Sequence, residues 1–449
     1  MGVAQGMVDL EWLPCLAERR LMGRGEVAWS AYDPLERAGS NEDPLGFYAF
    51  ALRLAETWLP GITTRTRRAR YYSAICGGLL LVEEELNDLV RSSKERDAER
   101  SRLMLRWERL WTLAHAAGSS NGTQGYIGSR FAGSLVRRTP PAGGTVDFPF
   151  VARQAALGPL GAFRTSLQTL GLLCLDETEL TADGRTLGRL FWDALATGHD
   201  WSAAARALRT GRLGPFARRG ALERLGERLG LRFIGVEERD FLRARLFPTA
   251  ATGVQARRRE VIEYLRARRL TEIPEPEILA RAARRGRIPL ERRAGAIVAV
   301  ERYRASLVGV LAAFRSALFA RGGEGTVGSL APADRQAIDL VARSVRTARS
   351  AALPWVRSSE LAAEIFGDFD LADTPVDAGG IELLRFLLQH HLREMRRRRS
   401  PCWFHPAGRD RWALDRAQGP DPGRPEADIY YAYRTASLLT LARDLRMRL

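Results

Sequence analysis

The chain has 449 residues, a length that excludes a single small module and predicts two to four domains. Apolar residues make up 45% and charged residues 27% of the chain, which is ordinary for globular proteins and excludes a disordered, collagenous or membrane-embedded one. The net charge is +16 and Lys94 is the only lysine, which excludes sites that need a lysine in a glycine-rich loop.

The sequence lacks the patterns of a signal peptide, a membrane span, a disulfide framework and a zinc site. The first twenty residues lack the pattern of a signal peptide, and no apolar run approaches the ~20 residues that span a bilayer. The four cysteines show neither disulfide nor zinc spacing. We therefore expect a cytoplasmic protein without a membrane partner.

Helical periodicity predicts a mainly α, multi-domain protein with a winged-helix-like module and few short strands. Proline- and glycine-rich stretches divide the chain into five parts. These are an N-terminal helical domain at 1–117, a linker at 118–145, a winged-helix-like domain at 146–235, a basic helical domain at 236–350 and a C-terminal helical region at 351–449.

An arginine-rich run opens a long helix predicted over 64–92. Its cations are Arg65, Arg67, Arg68 and Arg70. The apolar face of this helix includes Ala69, Tyr72 and Cys76, so the arginines cannot all be buried with that face. Guanidinium groups match phosphate, whereas cations at a helix start oppose the helix dipole. A nucleic-acid contact and an intramolecular ion-pair network are both open interpretations.

The segment 158–192 has the pattern of a recognition helix and a wing. An apolar stripe at Leu160, Phe163, Leu167 and Leu170 faces the core, and Gly171 ends the helix. A short strand pair is expected before a Gly-Arg phrase that resembles the end of a wing. The candidates for DNA contact are Arg164, Thr165, Gln168 and Arg185. Docking of a protein is the alternative use of such a module.

Positive charge is concentrated in the third quarter of the chain. Residues 201–300 contain 23 arginines against 11 acids and so contribute +12 of the net charge. The candidates for phosphate contact there are Arg257, Arg258, Arg259, Arg266, Arg268, Arg269, Arg281, Arg284 and Arg285. A dense basic stripe suits a polyanion. A solvated charged face is the alternative.

Histidine patterns point away from catalysis. His391 lies on the apolar face of a helix predicted from Ile381 to about Arg399, which indicates a packed core histidine. His199-Asp200 is the only compact pair that resembles a metal-dependent phosphohydrolase, and we interpret it as a loop with an aspartate N-cap before a helix near Ser202. No catalytic residue, metal site or cofactor is predicted.

Three stretches resemble an uncharacterised family of bacterial proteins that are often encoded in antiviral defence islands. They are Leu59–Tyr72, Leu180–Phe191 and Tyr430–Leu445. The resemblance is patchy and implies a setting in phage or plasmid defence, without assigning catalytic residues.

These patterns together predict a non-catalytic DNA-binding or DNA-sensing subunit of a prokaryotic defence complex. Double-stranded DNA is the expected nucleic acid, and other subunits are expected to supply a motor or nuclease. An arginine-rich scaffold that docks an acidic protein is the alternative. A metal-dependent phosphodiesterase is a further one.

Overall fold

The described part of the chain is mainly α-helical, as predicted. In this computed structural model the described residues are 43–87, 93–118, 127–148, 154–175, 178–193, 198–231, 234–249, 254–284, 289–357, 374–398, 402–415 and 431–448. The chain divides into two compact units. The first contains Pro60–Glu263 and the segment from Ala436, and the second contains Tyr264–Thr435 and the segment that ends at Leu59. The predicted boundaries near 118–145 and 236 therefore fall inside the first unit.

The described residues form the following helices and strands, given in chain order. The helices are α1 Tyr48–Trp58, α2 Arg70–Asn87, α3 Ser93–Gly118, α4 Ser129–Val136, α5 Gln154–Leu157, α6 Pro159–Thr169, α7 Ala182–Asp193, α8 Gly198–Thr210, α9 Arg219–Leu229, α10 Val236–Leu246, α11 Val254–Ala267, α12 Glu275–Arg284, α13 Pro289–Phe319, α14 Pro332–Arg357, α15 Gly380–Arg398 and α16 Thr435–Asp444. The strands are β1 Glu324–Thr326, β2 Phe404–Gly408 and β3 Arg411–Leu414.

The core of the first unit forms around α2, which is buried along nearly all of its length. A helix that is apolar on every side has to be covered on every side, and α2 packs against α3 and α7. Helix α3 in turn packs closely on α9. A Cβ atom added at Gly226 of α9 would lie 1.7 Å from the Ala114 carbonyl oxygen of α3, so this crossing requires glycine.

The segment predicted as a winged helix contains the expected helix, whereas its described residues do not form the expected pair of strands. Helix α6 buries Phe163 and Leu167, and Gly171 ends it with a positive φ of 70°. The expected strand pair is reduced to one antiparallel bridge between Leu173 and Leu180. Because the chain then enters α7 at Ala182, the described residues do not confirm a winged helix at this position.

The second unit combines long helices with a small antiparallel sheet. Helices α13 and α14 pack along each other, and the strands lie in the order β1–β3–β2. Gly325 of β1 and Pro406 of β2 both pair with Trp412 of β3. One face of the sheet is apolar and packs on α13, where the rings of Phe314 and Phe404 lie 5.6 Å apart.

Helix α15 confirms the predicted core position of His391. The side chain is fully buried, its Nδ1 lies 2.9 Å from the Pro44 carbonyl oxygen, and its Nε2 accepts a 2.9 Å hydrogen bond from the Trp403 amide. Burial lowers the pKa of His391 to about 4. The imidazole is therefore neutral near pH 7 and joins α15 to the segment before β2.

Candidate nucleic-acid interface

Arg70 belongs to a buried ion pair rather than to a surface. Helix α2 begins at this residue and not near residue 64, so the preceding arginines lie in a turn. The Arg70 guanidinium is fully buried, donates to Glu238 and lies 4.5 Å from the centre of the Phe191 ring. Burial lowers its pKa, while the attraction of Glu238 opposes this shift. The prediction that Arg70 contacts nucleic acid is therefore wrong. The alternative interpretation, an intramolecular ion pair, describes Arg70.

The other arginines of this run differ from one another. Arg68 donates to Asp444 at 2.9 Å, and the Ala69 amide donates to the same carboxylate at 3.0 Å. Arg67 is exposed and donates to the Thr64 carbonyl oxygen at 2.6 Å, and Arg65 is half-buried. Of these arginines, Arg68 therefore joins the segment before α2 to α16.

Arg258 is a second misplaced candidate. Its side chain is fully buried on the face of α11 that also carries Val261 and Leu265, because these residues recur at helical spacing. The guanidinium donates to the carbonyl oxygens of Pro60 at 3.1 Å and Arg245 at 3.4 Å. Its role is to hold backbone segments together.

The two arginines that flank Arg258 reach different surroundings. Arg259 pairs with Glu263 at 2.6 Å, one turn further along α11, whereas Arg257 is half-buried. An i, i+4 pair of this kind suits a solvated helix face. Of the triplet predicted for phosphate contact, Arg258 is therefore the one that burial removes.

Only part of the α6 face that was predicted to contact DNA is accessible. Arg164 is exposed and Thr165 is half-buried, but Gln168 is buried. The Gln168 side-chain amide donates to the carbonyl oxygens of Cys174 at 3.1 Å and Leu175 at 2.5 Å. The prediction that Gln168 points outward to a base is wrong, because the amide satisfies the backbone of the loop after α6.

Arg185 was predicted to contact DNA where the wing leads into a helix, and it lies in the first turn of α7. It pairs with Glu83 at 3.1 Å while remaining partly exposed. A surface ion pair of this kind contributes little to stability. The guanidinium thus stays at the surface of the first unit with a carboxylate already beside it.

In the second unit the predicted arginines remain at the surface. Arg266, Arg268 and Arg269 are all exposed where α11 ends, and we name these three residues the arginine cap. On α12, Arg284 is exposed, and the exposed Arg281 pairs with Glu277. Arg285 lies outside the described residues.

The backbone of the arginine cap forms a Schellman motif. The Leu270 amide donates to the Leu265 carbonyl oxygen at 2.9 Å, and the Arg269 amide donates to that of Arg266 at 3.2 Å. Arg269 has a φ of 52°, a conformation that favours glycine and costs other residues roughly 1–2 kcal/mol. Cations at this helix end are stabilised by the helix dipole, so three guanidinium groups are tolerated within one turn.

Sequence reasoning missed a second basic face, which lies on α15. Arg385, Gln389, Arg393 and Arg396 are exposed and recur at helical spacing on the side opposite the apolar stripe. Arg409 is exposed in the turn between β2 and β3. The helical spacing of the residues on α15 could have been found in the sequence. The contact between the β2–β3 turn and α15 could not, because it depends on tertiary structure.

The His199-Asp200 pair lies within α8, which begins at Gly198 instead of near Ser202. The Asp200 carboxylate accepts a hydrogen bond from Arg228 at 2.8 Å. Within the described ranges, no group of three or more His, Cys, Asp or Glu residues is placed to hold a metal ion. No described helix is both long enough and apolar enough to cross a membrane.

The exposed guanidinium groups have a defined chemical capability. Each can bind a phosphate oxygen pair through parallel hydrogen bonds, and in water their attraction for a polyanion is set by their number and spacing. Comparisons of the chain with protein-family models, with curated proteins and with solved structures found no match. What the chain binds therefore has to be argued from these residues.

Proposed function

We propose that the protein is a non-catalytic nucleic-acid-binding subunit that takes double-stranded DNA and contacts its phosphates with the arginine cap. The observation that carries the proposal is the exposure of Arg266, Arg268 and Arg269 within one turn of chain. The nearest acids in the sequence are Glu263, which already pairs with Arg259, and Glu272, so the local charge stays positive. Phosphate contacts of this type supply most of the sequence-independent affinity for DNA.

The backbone at Arg269 supports a role beyond folding. Glycine would remove the cost of the left-handed conformation, and Arg266 and Arg268 already complement the helix dipole. Arg434 also has a positive φ but is buried beside Glu56, whereas Arg269 is exposed, so the strained position of Arg269 supports a functional interpretation. The charge of Arg269 contributes to ligand binding in this proposal rather than to stability.

The biological setting is also part of the proposal. The stretch Leu59–Tyr72 resembles proteins of antiviral defence islands, and this supports a subunit of a prokaryotic defence complex whose motor or nuclease is another chain. A basic surface positions phosphates but does not activate a nucleophile. The purified chain is therefore expected to bind DNA without cleaving it.

The test compares salt dependence in matched variants. Anisotropy of a labelled duplex is measured between 50 and 200 mM salt for the wild type and for the triple variant Arg266→Gln, Arg268→Gln and Arg269→Gln. If the wild type contacts about four phosphates, its affinity falls about 10²-fold over this range. The magnitude of the slope of log affinity against log salt concentration should be smaller by about three in the triple variant than in the wild type.

The control removes the same charge from the first unit. Arg137, Arg138 and Arg206 are exposed there, and their joint replacement by Gln should change the slope by less than about one. An unchanged slope in the arginine-cap variant contradicts the proposal. Absence of binding by the wild type at 50 mM salt would favour the scaffold that docks an acidic protein.

A further inference from the structure

Part of the second unit has the element order of a DNA-reading domain. Among the described residues between 289 and 415, the α-helices and strands run α13, β1, α14, α15, β2, β3, and β3 lies between β1 and β2 in an antiparallel sheet. In winged-helix domains the same order places the last helix before the hairpin in the DNA groove. That helix is α15 here, and the hairpin is β2–β3.

Helix α15 has two distinct faces. Leu384, Leu388 and Met395 are buried against the unit. The opposite side exposes Arg385, Gln389, Arg393 and Arg396, which together extend roughly 16 Å along the helix at 1.5 Å per residue. The exposed Glu382 lies one turn before Arg385 on the same side, so this side carries three arginines and one acid, and its net positive charge suits phosphate. The major groove of B-form DNA admits an α-helix.

The hairpin turn is held against this helix by a carboxylate. Asp410 accepts hydrogen bonds from Arg385 Nε at 3.0 Å and Nη2 at 2.7 Å, and from the Gly328 amide at 3.2 Å. The hydrogen bonds from Arg385 lower the pKa of Asp410, so the carboxylate stays ionised near neutral pH. The turn and its exposed Arg409 are therefore fixed before any ligand arrives, which lowers the ordering cost of binding.

From this geometry we infer that α15 and the β2–β3 turn form a surface that reads the sequence of B-form duplex DNA, with α15 in the major groove. The inference rests on the proposed function, since it takes the same ligand. Gln389 is suited to adenine and Arg393 to guanine, because their side chains match the paired hydrogen-bonding groups of those bases. Arg396 and Arg409 are placed to contact phosphates on either side.

Duplex RNA is the discriminating competitor. The major groove of A-form RNA is too deep and narrow for side chains to read, whereas that of B-form DNA admits an α-helix. The arginine cap responds to phosphates in either duplex, but α15 should respond only to DNA. The two surfaces can therefore be tested separately in the full chain.

The experiment selects binding sequences from a pool of random DNA duplexes with the full-length wild type, and measures the affinity of the enriched duplex. Gln389→Ala and Arg393→Ala should each weaken that affinity by about 5- to 150-fold. They should leave affinity for an unrelated duplex within about threefold. Arg302→Ala, which removes an exposed arginine from α13, is the matched control and should change neither. Unfolding midpoints verify that each variant is folded.

The outcomes separate the two proposals. Enrichment of no sequence, equal competition by duplex RNA of the enriched sequence, or unchanged affinity in both α15 variants would overturn the inference. If those results occur while the arginine-cap variant still shows the reduced salt slope, the proposed function stands and only the inference about α15 fails. If the wild type binds no duplex at 50 mM salt, both fail.

Discussion

Two arginine-rich segments of similar density have opposite fates in this protein. In the segment 65–70, Arg70 is buried beside Glu238 and Arg68 pairs with Asp444. In the segment 266–269, all three arginines remain exposed. Arginine density alone therefore does not indicate a binding surface, because the carboxylates that neutralise the first segment come from remote parts of the chain.

The difference follows from what each helix has to bury. Helix α2 starts at Arg70 and is apolar on nearly every side, so its first residue is enclosed with it and needs a buried acid. Helix α11 ends at Ala267, and its last two residues and the two that follow them are exposed. A helix end at the surface leaves its cations in water, where a polyanion can reach them.

The largest expected effect is on the buried pair. Arg70→Met should lower the free energy of unfolding by about 3–5 kcal/mol, because the buried Glu238 loses the guanidinium that pairs with it and retains only hydrogen bonds from neutral groups such as the Ser73 hydroxyl. Urea denaturation measures the loss. Adding Glu238→Gln should recover part of it, and Arg268→Met should stay within about 0.5 kcal/mol of wild type. A loss below about 1 kcal/mol in Arg70→Met would contradict the comparison.

The buried His391 sharpens the contrast, because its hydrogen bonds join the Pro44 carbonyl oxygen and the Trp403 amide. Burial is the main cause that lowers the pKa of His391 from 6.5 to about 4; the hydrogen bond to Pro44 opposes this shift, and the nearby Arg398 guanidinium adds to it. A lowered pKa means that the unfolded chain binds the proton first, so stability is present above pH 6.5 and is lost as the pH falls toward 4. We expect a loss of about 2 kcal/mol between pH 7 and 5.

Denaturation curves of the full-length protein at these two pH values test this expectation. His391→Gln retains a neutral amide and should remove most of the His391 contribution to the pH dependence. An equal loss in the variant and the wild type would assign the effect to other groups.

On helix α6, neighbouring polar residues should behave differently. Gln168→Ala leaves the carbonyl oxygens of Cys174 and Leu175 without its amide donor, and should cost about 1–3 kcal/mol of unfolding free energy. Arg164→Ala, at an exposed position, should stay within about 0.5 kcal/mol. Thermal unfolding of the two variants measures both losses of stability. Equal losses in the two variants would contradict the expectation that only the buried Gln168 stabilises the fold.

The smallest effect separates stability from binding at the arginine cap. Arg269→Gly should raise the free energy of unfolding by about 0.5–1 kcal/mol, since glycine adopts a φ of 52° without strain. The same change should reduce the salt slope of DNA binding by about 0.9. Denaturation and anisotropy on one preparation test both. A destabilised variant would mean that the Arg269 side chain supports the fold.

Local patterns were sufficient for several features. The apolar stripe and Gly171 predicted α6, and the periodicity around His391 predicted both α15 and the burial of that histidine. The face of α11 that includes Val261 also carried a signal for the burial of Arg258, which counting charges overlooked. These features depend on residues within a few turns of each other, so periodicity is enough to find them.

The sequence by itself thus determined the helical character of the chain, the end of α6 at Gly171 and the excess of arginine. Only the tertiary structure decided which arginines are neutralised, since Glu238 and Asp444 reach Arg70 and Arg68 from distant segments. It also decided the pairing of β1 with β3 and the contact of Asp410 with Arg385. Short strands and charged pairs draw their stability from neighbours brought together by folding, and a local pattern does not contain those neighbours.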